Sequence, residues 1–220
     1  MKEPETITKT IAFVKETLKE AEGGHDWFHI QRVYKNAKQI AKDEDVDLLV
    51  VSLGALLHDI ADAKFHDGDE SIGPKIAQAF LESIAVDDKT ITHVVNIINN
   101  ISFKNSLSKD GNTKFNSKEL QIIQDADRLD ALGAIGIARA FNYGGFKNRE
   151  LYNPDIAPNL NMTKEEYKKS NAPTINHFYE KLLLLKDKMN TPMGIKMAEE
   201  RHDFMLNYLE QFYREWNGES

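Results

Sequence analysis

The sequence predicts an all-α protein, and three observations carry that expectation. Apolar residues recur at three- and four-residue spacings along most of the chain. No stretch alternates apolar and polar residues strongly enough for a central strand. Asp, Gly and Pro stand where such segments begin or stop. In residues 6–21, Ile7, Ile11, Val14 and Leu18 mark one helical face, and Gly23-Gly24 ends the segment. Residues 27–43 put Ile30, Val33, Ala37, Ile40 and Ala41 on another. Asp47 caps a third helix running to about Ala63, apolar nearly all round and therefore expected at the centre. Amphipathic segments over 71–85 and 88–100 follow, with Asp87 and Asp88 as caps between them. Residues 102–119 are polar, with a turn at Asp110-Gly111-Asn112. A helix then starts near Ser117 and Glu119, runs to about Leu132 and continues, bending at Gly133, through Ala140. Residues 144–172 read as a long irregular excursion with a short helix near 163–169. Helices over 173–189 and 192–216, each starting at a proline, close the chain.

The chain of 220 residues, with no internal repeat, is expected to form a single domain, and its 41% hydrophobic content supports a core. With 28 basic against 35 acidic residues the net charge is −7, which argues against a nucleic-acid polymer as partner. The absence of cysteine removes thiolate metal sites, redox motifs and cysteine nucleophiles, and fits a reducing compartment. The longest apolar stretch, Leu48 to Leu57, is broken by Ser52 and Gly54. It falls well short of the roughly 18 residues of a membrane span. The first residues lack the basic and apolar segments of a signal peptide. A soluble cytoplasmic protein with no membrane partner is expected.

The chemistry begins at the end of that apolar helix, where His58 and Asp59 stand side by side. An unpaired buried carboxylate costs several kcal/mol, so something cationic should face Asp59. Taken alone, the dipeptide is satisfied by a His–Asp hydrogen bond or an ion pair. His29 lies early in the second helix, and Asp127 lies within Gln124-Asp125-Ala126-Asp127-Arg128-Leu129-Asp130 on another. The four side chains offer two imidazoles and two carboxylates from three helices. That donor set suits a borderline or hard divalent ion and leaves two octahedral positions for water or substrate. A structural zinc site would usually add cysteine.

Asp62, about one helical turn beyond Asp59, is the first candidate to orient or deprotonate a water. Arg32, one turn past His29, with Arg128 beside Asp127 and Lys64 after the His58 helix, are candidates to hold phosphate. Each has an acidic neighbour with which it can equally form a structural pair. His25, four residues before His29, shares its helix face if the helix starts early enough, as a supporting hydrogen-bond donor or as proton donor to the leaving group. Lys104, Lys147 and Arg149, candidates to reach the phosphate tail of a substrate, sit in the two long loops, 102–119 and 144–172, which are candidate lids. His66, His93, His177 and His202 have no metal-like neighbours in sequence, and the aromatic residues of the last helix read as packing.

With these residues in view, the sequence resembles the HD-domain metal-dependent phosphohydrolases, whose ligands come in the order His, His-Asp, Asp. His29 with Arg32-Val33 looks like the first histidine segment, His58-Asp59 like the signature pair, and Asp127 with Arg128-Leu129 like the final aspartate segment. The resemblance covers roughly residues 25–132, and the helices over 173–216 are expected to pack on that core. It extends to small bacterial stand-alone HD proteins through His25-Asp26 and Arg128-Leu129-Asp130-Ala131-Leu132-Gly133. It implies an all-α HD fold with one divalent ion in its helical core. Mn2+ or Mg2+ come first, and Co2+, Ni2+ and Fe2+ are also compatible. The implied activity is nucleotide pyrophosphohydrolysis on nucleoside or deoxynucleoside triphosphates. Hydrolysis of another phosphorylated metabolite or cyclic nucleotide, or a nucleotide-binding regulatory role without catalysis, are the alternatives. Monomer and homodimer both stay open.

Overall fold

Among the described residues of a computed structural model, which are 5–21, 26–61, 69, 71–101, 115–163, 166 and 169–219, every regular element is helical. The helices group into two compact units, Met1–Asp127 and Arg128–Ser220.

The first unit contains α1 (Glu5–Thr17), α2 (Trp27–Ile40) with a 3-10 turn at Ala41–Asp43, and α3 (Leu48–Leu57). It continues with α4 (Ile72–Ser83), α5 (Asp88–Asn100) and most of α6 (Lys118–Leu129). Helix α3 packs against α1, α2 and α5. Every residue from Val50 to Leu57 is buried, which is why this segment is apolar on all sides rather than on one stripe. The caps expected at Asp47 and Asp87 form, Asp88 is the first helical residue and not a cap, and Ser117 adds a cap that was not expected. Asp47 accepts from the backbone N–H groups of Leu49 and Val50, Asp87 from Thr90, and the Ser117 hydroxyl from Leu120. Each is worth about 1 kcal/mol against alanine.

Helix α3 stops at Leu57, well before Ala63. At that end the His58 Nδ1–H donates to the Ala55 carbonyl at 2.9 Å. That carbonyl is the acceptor a continuing helix would have offered to the Asp59 amide. Residues 58–61 form a turn and bend. Asp62, expected about one turn beyond Asp59, lies outside the described residues.

In the second unit, α6 ends at Leu129 and α7 (Gly133–Phe146) is a separate helix, so the chain breaks where a bend was expected. Gly133 has φ of +69°, a left-handed backbone that glycine adopts without strain. Helix α7 runs past Ala140 through Gly144-Gly145, which were expected to be irregular. A β-carbon at Gly144 would stand 2.2 Å from Thr174 Oγ1, so this glycine serves close packing against the next helix and not a turn. That helix, α8 (Thr174–Glu180), is followed by a 3-10 helix at Leu182–Lys188 in place of the single helix expected over 173–189. The split falls at Lys181, whose φ of −144° is not helical. Leu182 and Leu185 are buried at the three-residue spacing that a 3-10 helix keeps on one side. Of the short helix expected near 163–169, Glu166 and Lys169 are helical, while Lys164, Glu165, Tyr167 and Lys168 lie outside the described residues. Helix α9 (Pro192–Trp216) has the expected bounds, with Thr191 as its cap, and packs against α7. Among the described residues no helix is long and apolar enough to cross a membrane.

His177 on α8 gives this unit a pH dependence. Burial, reinforced by the nearby charges of Lys181 and Arg149, holds its imidazole down at about 4 against an ordinary 6.5. Between those pH values the unfolded chain takes up a proton that the folded chain does not. Stability present above pH 6.5 is therefore lost as pH falls towards 4. The loss is about 2 kcal/mol by pH 4.5. Urea unfolding at pH 7 and 4.5 should show a steeper fall for the native chain than for His177→Gln by that amount. Parallel losses in both would show that the imidazole is solvated when folded.

Candidate metal centre

Three helices of the first unit carry the four side chains singled out by sequence. His29 sits in the first turn of α2, where its backbone N–H donates to the capping carboxylate of Asp26 at 2.9 Å. His58 and Asp59 follow the last turn of α3. Asp127 lies in the last turn of α6. What brings α3 and α6 together is the small residue Gly54, since a β-carbon there would fall 2.5 Å from the Ile123 Cδ1 atom. One turn further along each helix stand His58 and Asp127. Helix α2 joins through Asn36, whose side-chain amide donates to the Ala126 carbonyl at 3.4 Å.

The side chains converge. Donor atoms of His29, His58 and Asp59 all lie within 4.8 Å of one another. Asp127 Oδ1 stands beside that group, 3.5 Å from His29 Nε2 and 3.9 Å from His58 Nε2. Both separations exceed the 2.7–3.2 Å of a hydrogen bond. They fall between the separations of two donors sharing one ion at about 2.1 Å each, about 3.0 Å when adjacent and about 4.2 Å when opposite. The imidazoles are nearly inaccessible, His29 at 2% and His58 at 8% exposed, whereas the Asp127 side chain is 43% exposed. The cluster thus has a closed nitrogen side and an open oxygen side, which leaves room for an incoming ligand.

The tautomer of His58 is also set. A carbonyl only accepts, so Nδ1 carries the proton given to Ala55 and the Nε2 lone pair is turned towards Asp127. Such a backbone partner orients a metal-binding imidazole and raises its basicity. The donor set of two imidazole nitrogens and carboxylate oxygens therefore fits a divalent cation by chemistry, spacing and tautomer.

The other expected site residues are less concentrated. Arg32 is half-buried on α2, one turn past His29. Helix α2 begins at Trp27, with Asp26 as an extended cap at ψ 175°. His25, Asp62, Lys64 and Lys104 lie outside the described residues. Arg128, Lys147 and Arg149 belong to the second unit. Arg128 donates to the Lys188 carbonyl at 2.7 Å and Arg149 to the Ser170 carbonyl at 2.6 Å. The Lys147 ammonium lies over the Tyr143 and Phe146 rings. Of the remaining histidines, His93 meets the Ser117 hydroxyl at 3.0 Å at the start of α6.

Sequence reasoning missed Asp26, Asn36 and Gly54 as parts of this site. Asp26 was legible, because a carboxylate three residues before His29 has the spacing of a helix cap. Asn36 breaks the apolar face of α2 two turns after His29, which was also a signal. Gly54 carries no local sign that Ile123 would meet it.

This arrangement of histidine, histidine-aspartate and aspartate on three helices is what the HD fold builds, and the HD domain model matches residues 27–132. The chain belongs to the HD-domain family and is an HD-superfamily hydrolase. It is 35% identical to YpgQ of Bacillus subtilis over 99% of this chain and 97% of that protein. A crystal structure of an HD-superfamily hydrolase from Bacillus thuringiensis is 43% identical, with 97% of each chain covered and a TM-score of 0.77. The crystal structure of YpgQ in complex with ADP is 34% identical, covering 96% of this chain and 95% of that one, with a TM-score of 0.73.

Proposed function

We propose that the chain is a divalent-metal-dependent phosphohydrolase acting on nucleoside or deoxynucleoside triphosphates, releasing pyrophosphate and the monophosphate. The observation that carries this reading is the stand-off convergence of His29, His58 and Asp59 with Asp127 beside them. These four residues would hold the ion, with Mn2+ or Mg2+ as first choice for a mixed nitrogen and oxygen set. A divalent ion so held lowers the pKa of water and neutralises charge on phosphoryl oxygens. Asp127, open to solvent on one side, faces the approaching phosphate. Asp62 is the proposed carboxylate that accepts the proton of the attacking water, and His25 the proposed donor to the leaving oxygen. Arg32 and Lys64 are the proposed phosphate contacts. Nucleotide recognition is supported by the ADP complex of YpgQ. The cysteine-free composition suits a cytoplasmic setting.

The test is a panel of nucleoside mono-, di- and triphosphates incubated with protein reconstituted with Mn2+ or Mg2+ and followed by phosphorus NMR. The expected result is pyrophosphate from triphosphates, abolished by chelation and restored by the ion. Orthophosphate as first product would move the cleaved bond. Binding without turnover under every ion would make the protein a nucleotide-binding module.

A further inference from the structure

The second unit holds a pocket of about 420 Å³ that the metal chemistry does not use. The segment after α7 lines it with Tyr152, Ile156 and Ala157, α8 with Asn176 and Tyr179, and α9 with Tyr213. Its size falls in the range of small-molecule sites. No lining residue is charged, so nothing in it answers a phosphate, a carboxylate or an ammonium group. The Tyr152 ring packs near-perpendicular to Phe212, Tyr213 and Trp216, with centroids 6.0, 5.3 and 5.1 Å away. Aromatic walls locked in this way are present before any ligand arrives.

The polar groups are placed with equal definition. Asn176 is 1% exposed, and its amide N–H donates to the Ile156 carbonyl at 2.9 Å. A carbonyl only accepts, so the orientation of the amide is forced and its Oδ1 is the atom left over. The Tyr179 and Tyr213 hydroxyls are 3.2 Å apart, so one donates to the other and one phenolic proton remains for a third partner. Burial, with the hydrogen bond to Tyr179 beside it, pushes the Tyr213 phenol up, so this phenol keeps its proton.

An uncharged pocket with aromatic walls, an amide acceptor and a phenolic donor fits a flat heterocycle that carries both an N–H group and an acceptor. We propose that this pocket binds a nucleobase, as the free base or the uncharged nucleoside, without needing the metal centre. Stacking supplies affinity for any base, and the Asn176 acceptor and phenol pair select among them. This proposal does not rest on the hydrolase reading.

The experiment uses full-length protein in EDTA, titrated by calorimetry and saturation-transfer NMR with adenosine, guanosine, cytidine and uridine, and with benzyl alcohol as a ring whose single rotating hydroxyl offers no separate, in-plane donor and acceptor. At least one nucleoside should bind saturably, one per chain, with Kd below about 1 mM. Benzyl alcohol should bind at least about tenfold more weakly. Ala157→Trp, which fills the pocket from an exposed loop position, should weaken the nucleoside at least about tenfold while leaving the melting temperature unchanged. Tyr179→Phe should weaken it without abolishing it, through loss of the hydroxyl pair. The proposal is overturned if none of the four nucleosides binds saturably, if benzyl alcohol binds as tightly, or if Ala157→Trp binds like the native chain. Because no metal is present, failure of the hydrolysis assay leaves these readouts unchanged.

Discussion

Asp59→Ala is expected to lower nucleotide hydrolysis at least about a thousandfold and to release the ion, while the far-ultraviolet helical signal stays intact. The size follows from losing a ligand to a Lewis acid whose contribution is several kcal/mol of barrier, each 1.36 kcal/mol being tenfold in rate. Helical content should hold because Asp59 lies beyond the end of α3. Metal content by inductively coupled plasma analysis and turnover by released pyrophosphate give the two readouts. Full turnover with unchanged metal content would sink the ligand assignment. Loss of turnover with metal retained would place Asp59 in orienting substrate or water instead.

The largest expected effect on stability lies at the corner between α6 and α7. Asp130 is 1% exposed, and its Oδ2 accepts from Arg139 Nη1 at 2.6 Å. Arg201 lies close by, donating to the Leu129 carbonyl. Burial lowers the Arg201 pKa, and the Asp130 charge acts in the opposite direction. Asp130→Ala removes the ion-pair partner of Arg139 and leaves Glu200 as the remaining acidic neighbour of Arg201. Breaking one partner of a buried pair costs roughly 3–5 kcal/mol. The Arg139 side chain is 27% exposed and partly screened, so about 3 kcal/mol is expected. Asp130→Asn keeps an acceptor and should lose less. Urea denaturation reads both; a loss under about 1 kcal/mol for the alanine variant would mean that water already solvates the arginines.

The same corner shows which features could be read in advance. The Arg128-to-Gly133 run was singled out by resemblance alone, and its physical cause is a non-helical glycine next to a buried ion pair. Periodicity extends through such a corner because Ile135 and Ile137 continue the apolar pattern, so a bend was expected where the helix in fact stops. Gly144-Gly145 misled in the opposite direction: two glycines signal a loop, but here the missing β-carbon lets α7 approach Thr174. Helix α3 ends where the His58 imidazole takes a carbonyl that propensity assigns to the backbone.

What the sequence determined by itself was local. Helical periodicity, the aspartate caps at Asp47 and Asp87 and the start of the last helix at Pro192 are settled within a few residues of each position. It also set which side chains were available to bind a cation. Only the tertiary structure decided that they meet. That outcome depends on Gly54 admitting Ile123, on Asn36 reaching the Ala126 carbonyl 90 positions away, and on His58 folding back onto Ala55. Packing between helices distant in the chain places side chains by contact, and contact has no period for a sequence to display.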